Sequence, residues 1–224
     1  MAGRSERLWD RYVSPETPGT FSSRARAERW QELFHRFPSL PEMKVIDLGG
    51  YVRSWDIAPA RPAHLTVVNL DGNGLEETAD WPVTTIKADA CDLPDVILEQ
   101  GFDFVYSNSL IEHVGGHSRR QDFAATVHKL APHFWIQTPA RTFPIEPHWM
   151  FPGFQFLPVR ARATISQKWP FGSEDSRGRS YAESVEDCLS VELVSGAEME
   201  SLFPDAEFYR ERLLGMTKSL VAIR

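Results

Sequence analysis

Four short stretches carry residues that could hold a ligand, and each follows an apolar run. The first is Asp47-Leu-Gly-Gly50. Glycine there lets backbone approach a ligand closely, and Asp47 can accept a hydrogen bond from a cationic amine. The second is Asn69-Leu-Asp71-Gly72. An ionised carboxylate has two accepting oxygens and no donor, so it can take both hydroxyls of a ribose. The third is Asp89-Ala90, an acid that can accept an exocyclic amine beside a small residue that leaves room for a flat ring. The fourth is Ser107-Asn108-Ser109, followed by Ile111-Glu112-His113. A separate group lies further on, in Thr138 to Pro158, where Glu146 and His148 flank Pro147 among Phe143, Trp149 and Phe151. An imidazole titrates near neutrality and can take a proton from an attacking hydroxyl or amine. His148 and His113 are therefore the candidate bases. Glu146, Trp149 and Phe143 are candidates for the walls of an acceptor site. Either imidazole also has a plain structural reading, as does Glu146 in a rigid proline-rich loop.

The elements that must position these residues alternate in type. Lys44–Leu48, Leu65–Leu70, Val83–Ala88, Phe102–Ser107 and His133–Gln137 read as strands, with a helix over Arg119–Leu130 opened by a capping box at Ser118 and Gln121. Such alternation implies a parallel sheet wrapped by helices. In sheets of that kind ligands bind beyond the carboxyl ends of the strands, where the four stretches fall. The segments between the first strands are short, so their helices are expected to be one or two turns. Asp92 reads as a helix cap. Glu207–Leu213 and Ser219–Ile223 read as two terminal strands joined closely enough to pair antiparallel.

Around this frame, residues 1–40 read as two helical pieces, one with Leu8, Trp9 and Tyr12 on a face and one from about Ser22 to Phe37. Residues 138–190 read as an ordered aromatic and proline-rich insert near the acceptor site. It holds helical pieces near Val159–Trp169 and Tyr181–Leu189, a mobile loop at Gly172 to Ser180, and is followed by a capping box at Ser195 and Glu198. The whole chain, residues 1–224, is expected to be a single domain.

Composition narrows the function classes. With 24 basic against 31 acidic residues the net charge is −7, which argues against a duplex nucleic-acid binder. The basic run Arg24 to Arg36 carries Glu28 and Glu32 at helical spacing, as a solvated helix face does. No apolar run approaches the roughly 18 residues needed to cross a membrane, and the N-terminus lacks an apolar signal core. A cytoplasmic enzyme is expected, with no membrane partner and a homodimer as the candidate assembly. Cys91 and Cys188 match no zinc spacing, and no metal site is expected.

The series VIDLGG, LTVVNLDG, IKADACDLP and FDFVYSNSLIEHV resembles the motif series of class I S-adenosylmethionine-dependent methyltransferases. It is closest to the small bacterial type of the ubiquinone-biosynthesis kind, over about Met43 to Trp149. The resemblance implies an α/β, Rossmann-like fold: a seven-stranded, mostly parallel sheet with an antiparallel last strand and helices on both faces. It implies S-adenosylmethionine as donor and S-adenosylhomocysteine as product. Asp47, Gly49 and Gly50 would then lie along the methionine part, Asp71 or Asn69 at the ribose, Asp89 and Ala90 at the adenine, and Ser107 near the sulfonium. The acceptor is expected to be a small molecule methylated on oxygen or nitrogen. Two departures stand out: Tyr51 and Arg53 occupy positions where the family has further glycines, and Asn69 stands where its second acid often lies. A nicotinamide-dependent oxidoreductase and a non-catalytic relative that binds a partner are the alternatives. The first lacks Gly-x-Gly-x-x-Gly here.

Overall fold

A computed structural model describes residues 21–70, 79–169 and 179–224. The helical piece expected before Ser14, Asp71 and most of the loop from Gly172 lie outside the described residues. The described chain forms two compact units, Pro38–Phe143 with Val191–Arg224, and Pro144–Ser190 with the N-terminal helix.

The larger unit is built on β1 (Lys44–Leu48), β2 (His64–Asn69), β3 (Val83–Lys87), β4 (Phe104–Asn108), β5 (His133–Pro139), β8 (Glu207–Leu213) and β9 (Met216–Ile223). Their order across the sheet is β3-β2-β1-β4-β5-β9-β8. The first five strands run parallel, and β9 pairs antiparallel with β5 and with β8. The expected seven-stranded sheet with an antiparallel ending is thus present. The central strands are apolar nearly throughout because both faces are covered. Val45 to Leu48 are all buried, and so are Leu65 to Val68. That continuous burial, rather than alternation, marks parallel strands beneath helices.

Two helices of this unit supply much of the cover. In α3 (His117–Leu130), Phe123, Val127 and Leu130 recur at helical spacing and join the same core as Ile46, Val105 and Phe134. α6 (Gly196–Leu202) adds Met199 and Leu202 to that core. The connections between the early strands are short, as expected: a single 3-10 turn over Val52–Trp55, and the four-residue α2 (Asp95–Leu98). β8 and β9 are joined by Leu214 and Gly215, both with positive φ (50° and 80°), the conformation that lets a two-residue turn follow the twist of the strands.

Helix starts differ from expectation at two places. α3 has Gly116 as its N-cap, without a side-chain cap bond, so Ser118 and Gln121 lie inside the helix, two and five residues past the cap. Asp92 caps no helix; it forms an isolated bridge with Asp89, and Pro94 precedes α2. Ser195 caps α6 as expected, accepting from the Glu198 N–H at 3.2 Å, but the Glu198 carboxylate turns to Arg120 and His117 instead of back to the cap.

The smaller unit contains α1 (Phe21–Arg36), the two-residue strands β6 (Ile145–Glu146) and β7 (Phe151–Pro152), α4 (Val159–Ser166) and α5 (Tyr181–Leu189). α1 buries Trp30 and Leu33 and pairs Arg36 with Glu32 at 2.6 Å across one helical turn. A full capping box formed by Ser180 and Glu183 opens α5. No helix among the described residues is long and apolar enough to cross a membrane.

Candidate functional site

The sheet reverses its order between β1 and β4: the chain leaves β1 toward β2 on one side and β4 lies on the other. Ligands in doubly wound folds lie in the crevice outside such a reversal. Asp47, Gly49, Gly50, Asn69 and Ser107 all stand at the carboxyl ends of the three strands that meet there, and backbone contacts sew them together. The Gly49 N–H donates to the Val68 carbonyl at 2.8 Å. The Asn69 amide donates to the Gly50 carbonyl at 2.6 Å. The buried Ser107 hydroxyl donates to the Leu48 carbonyl at 2.9 Å. Asn69 and Ser107 therefore shape the loop after β1.

Both glycines are required locally. Gly49 has φ +78°, and a Cβ on it would come within 2.7 Å of the Leu110 side chain. A Cβ on Gly50 would overlap the Asp47 carboxylate. The strand end is thus folded tightly around an acid. Asp47 is only 1 % exposed. One carboxylate oxygen, Oδ2, accepts from the Trp55 indole N–H at 2.9 Å. The other, Oδ1, is buried with no hydrogen-bond partner among the described residues. Burial pushes this carboxyl from 3.8 up to about 7, against the smaller opposing effect of the Trp55 bond. Trp55 itself is fully buried and sits edge-on to Tyr106 of β4, ring centres 5.3 Å apart. Where the family pattern has further glycines, this chain has a 3-10 turn that carries an indole back over the acid.

Asp89 follows β3 and is held differently. Its Oδ1 accepts from the Cys91 N–H at 2.9 Å, and its Oδ2 from Arg119 Nη2 at 2.5 Å. Burial alone would raise its carboxyl; the Cys91 N–H and the Arg119 guanidinium outweigh that and hold it below the usual carboxylate range. Asp89 is therefore a stable anion, partly exposed, with Ala90 beside it. Arg119 went unnoticed in the sequence. It is thirty residues away at the start of α3, and only the packing of that helix beside β3's end brings the two together. Cys91 is buried and its thiol is pushed up to about 11 by that burial, which makes it inert.

After β4, Ser109 adopts a positive φ of 57° and its hydroxyl donates to the Gln137 side chain at 3.0 Å. Glu112 is buried and accepts from Thr138 at 2.9 Å, while His113 is exposed. Phe143 is half-buried beyond β5, with its N–H on the Ala140 carbonyl.

In the smaller unit, Glu146, His148 and Trp149 form one cluster. Glu146 is 2 % exposed. Its Oε1 meets His148 Nδ1 at 2.6 Å and its Oε2 accepts the Trp149 N–H at 2.9 Å. Trp149 is an interior residue, stacked on Phe154 at 4.6 Å. His148 keeps 23 % of its side chain exposed. Of the three, the imidazole alone is presented to solvent.

Neither a protein-family model nor any curated protein matches the sequence. Solved structures do. The magnesium protoporphyrin IX methyltransferase ChlM from Synechocystis PCC 6803 with bound SAH aligns with a TM-score of 0.54 at 12 % identity, over 97 % of this chain and 93 % of that one. The N-methyltransferase NodS from Bradyrhizobium japonicum WM9 in complex with SAH gives 0.55 at 11 %, over 99 % and 97 %. A possible exported protein from Bordetella parapertussis gives 0.62 at 14 %, over 100 % and 74 %.

Proposed function

Taking the class I methyltransferase fold, which those likenesses show, as the premise, we propose that the chain is an S-adenosylmethionine-dependent methyltransferase acting on a small-molecule acceptor at oxygen or nitrogen. The observation that carries this is Asp47: a buried acid, cradled by a glycine that tolerates no side chain, with one oxygen unpartnered at the switch point of the sheet. An unmet buried acceptor costs about 1–3 kcal/mol and points to a cationic group that completes it. The donor's ammonium has that chemistry. Neighbouring structures of the same fold that hold SAH or SAM support the same donor.

In this reading Asp47, Gly49 and Gly50 receive the methionine end, and Asn69 fixes the loop through the Gly50 carbonyl. Asp71 remains the proposed ribose ligand. Asp89, kept ionised by Arg119, accepts the adenine amine next to Ala90. When bound, the donor supplies an electrophilic methyl on a sulfonium. The protein's part is then alignment of the acceptor with it. The segment that leaves the carboxyl end of β5, with Phe143 and His148, is proposed to serve the acceptor, with His148 or His113 as base; Glu146 and Trp149, expected as walls of that site, are buried and back the turn instead.

Calorimetric titration of the intact chain with S-adenosylmethionine, S-adenosylhomocysteine and NADH tests the reading. Binding of the first two, weakened tenfold or more by Asp89→Ala, is expected. Binding of NADH alone would overturn the donor assignment, and an unchanged dissociation constant in the variant would overturn the role of Asp89.

A further inference from the structure

Asp89 follows β3, and Arg119 lies in the first turn of α3, beyond β4. β2 and β1 stand between those two strands in the sheet, so the pair joins the segments that border the crevice on that side. The chain leaving β4 passes beside the end of β1, where Leu110 fills the space that a Cβ on Gly49 would need. It turns at Gly115, whose φ of +110° favours glycine, and the Arg119 stem lies beside that turn. Two bonds then fix the guanidinium. Nη2 donates to Asp89 Oδ2 at 2.5 Å, and Nε donates to the Val114 carbonyl at 3.4 Å. Nη1 has no hydrogen-bond partner among the described residues.

The turn after β3 does not call for this cation. Asp89 Oδ1 already accepts the Cys91 N–H at 2.9 Å, and the Asp89 carbonyl accepts the Asp92 N–H at 3.0 Å. The Arg119 and Asp89 side chains keep 41 % and 33 % of their surface exposed, and an ion pair so open to water contributes little to stability. What the pair does supply is a pattern. A carboxylate only accepts and a guanidinium only donates. An acceptor with further lone pairs thus stands next to a donor nitrogen still unengaged, held in a fixed plane, with the small Ala90 alongside. The complementary ligand edge carries an N–H beside a bare ring nitrogen. A base with an exocyclic amine has that edge. An oxo base presents an acceptor where the amine would stand.

We infer that Arg119 is a donor-binding residue, and that Asp89 and Arg119 together read the amine-bearing edge of adenine. This rests on the methyltransferase reading above. Asp89 accepts an N–H of the exocyclic amine. Arg119 Nη1 donates to a ring nitrogen flanking that amine, N1 or N7. The guanidinium stays charged at any working pH, and it helps to hold Asp89 below the usual carboxylate range, so donor and acceptor keep their polarity across neutrality. An oxo base would set its oxygen against the carboxylate, acceptor facing acceptor, and is rejected. Arg119 thereby does more than position Asp89: it contacts the base itself.

Calorimetric titration of the full chain with S-adenosylhomocysteine comes first, and it separates this inference from the one it rests on: a chain that does not bind refutes the methyltransferase reading itself. With binding established, the same ligand is compared with its 1-deaza and 7-deaza forms, in which carbon replaces N1 or N7 and the accepting lone pair is gone. One of the two should bind the wild type about 10- to 150-fold more weakly, the span for loss of a hydrogen bond to a charged group. Arg119→Ala, checked for retained fold by its melting transition, should weaken S-adenosylhomocysteine by at least that factor and should no longer prefer it to that deaza form. Arg119→Met, which keeps the stem, takes its place if the alanine variant melts early. An arginine that only held Asp89 in place would, when removed, weaken all three ligands by one factor and leave their wild-type ratios intact. That result overturns the inference, as does a wild type that binds both deaza forms as tightly as the parent. S-inosylhomocysteine, with oxygen in place of the amine, should bind the wild type at least about tenfold more weakly; equal binding would refute the reading of the base edge.

Discussion

Replacing Asp47 with Asn should stabilise the protein above neutrality, although it removes an acid from the centre of the proposed donor site. The carboxyl lies at about 7 in the fold against 3.8 in the unfolded chain, a rise of about three pH units. At about 1.4 kcal/mol per unit, that is about 4 kcal/mol. Because the folded value is the higher one, the native state keeps a proton that the unfolded state has released. The group's contribution is fully present below about pH 4, falls as pH rises through the interval up to about 7, and is absent above it. An amide in the same place keeps an oxygen for the Trp55 N–H. Its NH2 would stand where Oδ1 now lies without a hydrogen-bond partner, and a buried donor left unmet there costs about 1–3 kcal/mol. The net gain for Asp47→Asn at pH 8 is therefore about 1–3 kcal/mol. Urea unfolding of both proteins at pH 5, 6, 7 and 8 (bracketing the interval) measures it. The stability difference should grow in the variant's favour with each step up to about pH 7 and then level off. A difference independent of pH would mean that Asp47 is ionised throughout, and the argument from its burial would fail. Acid-side losses from Asp89 and Glu198 do not confuse the result. Their folded values lie below the unfolded ones, so their stabilisation is present above the unfolded pKa and lost only as pH falls through the lowered values.

Two further substitutions probe the surroundings of the site. Gly50→Ala places a methyl on the Asp47 carboxylate; the strand end must shift, and a loss of about 1–3 kcal/mol in urea together with weakened donor binding is expected. Arg120→Ala removes a guanidinium that is nearly inaccessible and pairs with Glu192 at 2.6 Å and Glu198 at 2.9 Å. Breaking a buried pair costs about 3–5 kcal/mol. Glu192 is well exposed here and can rehydrate, so a value near the lower end is expected from the same denaturation assay.

The sheet was legible because its signal is local. An apolar run covered on both faces announces itself, and β1 and β8 fall on the residues expected, with β2, β3, β5 and β9 close to them. β4 starts at Phe104, two residues late, because Phe102, although apolar and buried, lies ahead of the paired stretch. Helix starts were less legible, since a cap depends on backbone direction as well as residue type. Ser118 with Gln121 has the pattern of a capping box but sits two residues past the cap, whereas Ser180 with Glu183 has the same pattern and forms one. Of the site, the strand-end positions could be read and their partners could not. Arg119 meets Asp89 across thirty residues, and Trp55 meets Asp47 only because the segment between them curls into a 3-10 turn.

That turn changes the meaning of the irregular glycine pattern. Tyr51 and Arg53 stand where the family this chain resembles has further glycines. In the fold the same stretch delivers Trp55, and the indole buries Asp47 while contributing one hydrogen bond to it. The missing glycines and the buried acid are then one feature. A more open, glycine-rich loop would leave the acid hydrated and ionised at neutral pH, with nothing to gain from a particular cation. A buried carboxyl with a value near 7 is half-neutral in the absence of a partner, and becomes a full anion when a cation is fixed against Oδ1. Donor binding would then release a proton from Asp47 and strengthen as pH rises toward 7. Glu146 shows the opposite arrangement. Both of its oxygens are satisfied inside the chain, by the His148 ring and the Trp149 N–H. Two carboxyls of nearly equal burial are thus separated by whether the fold supplies the second hydrogen bond.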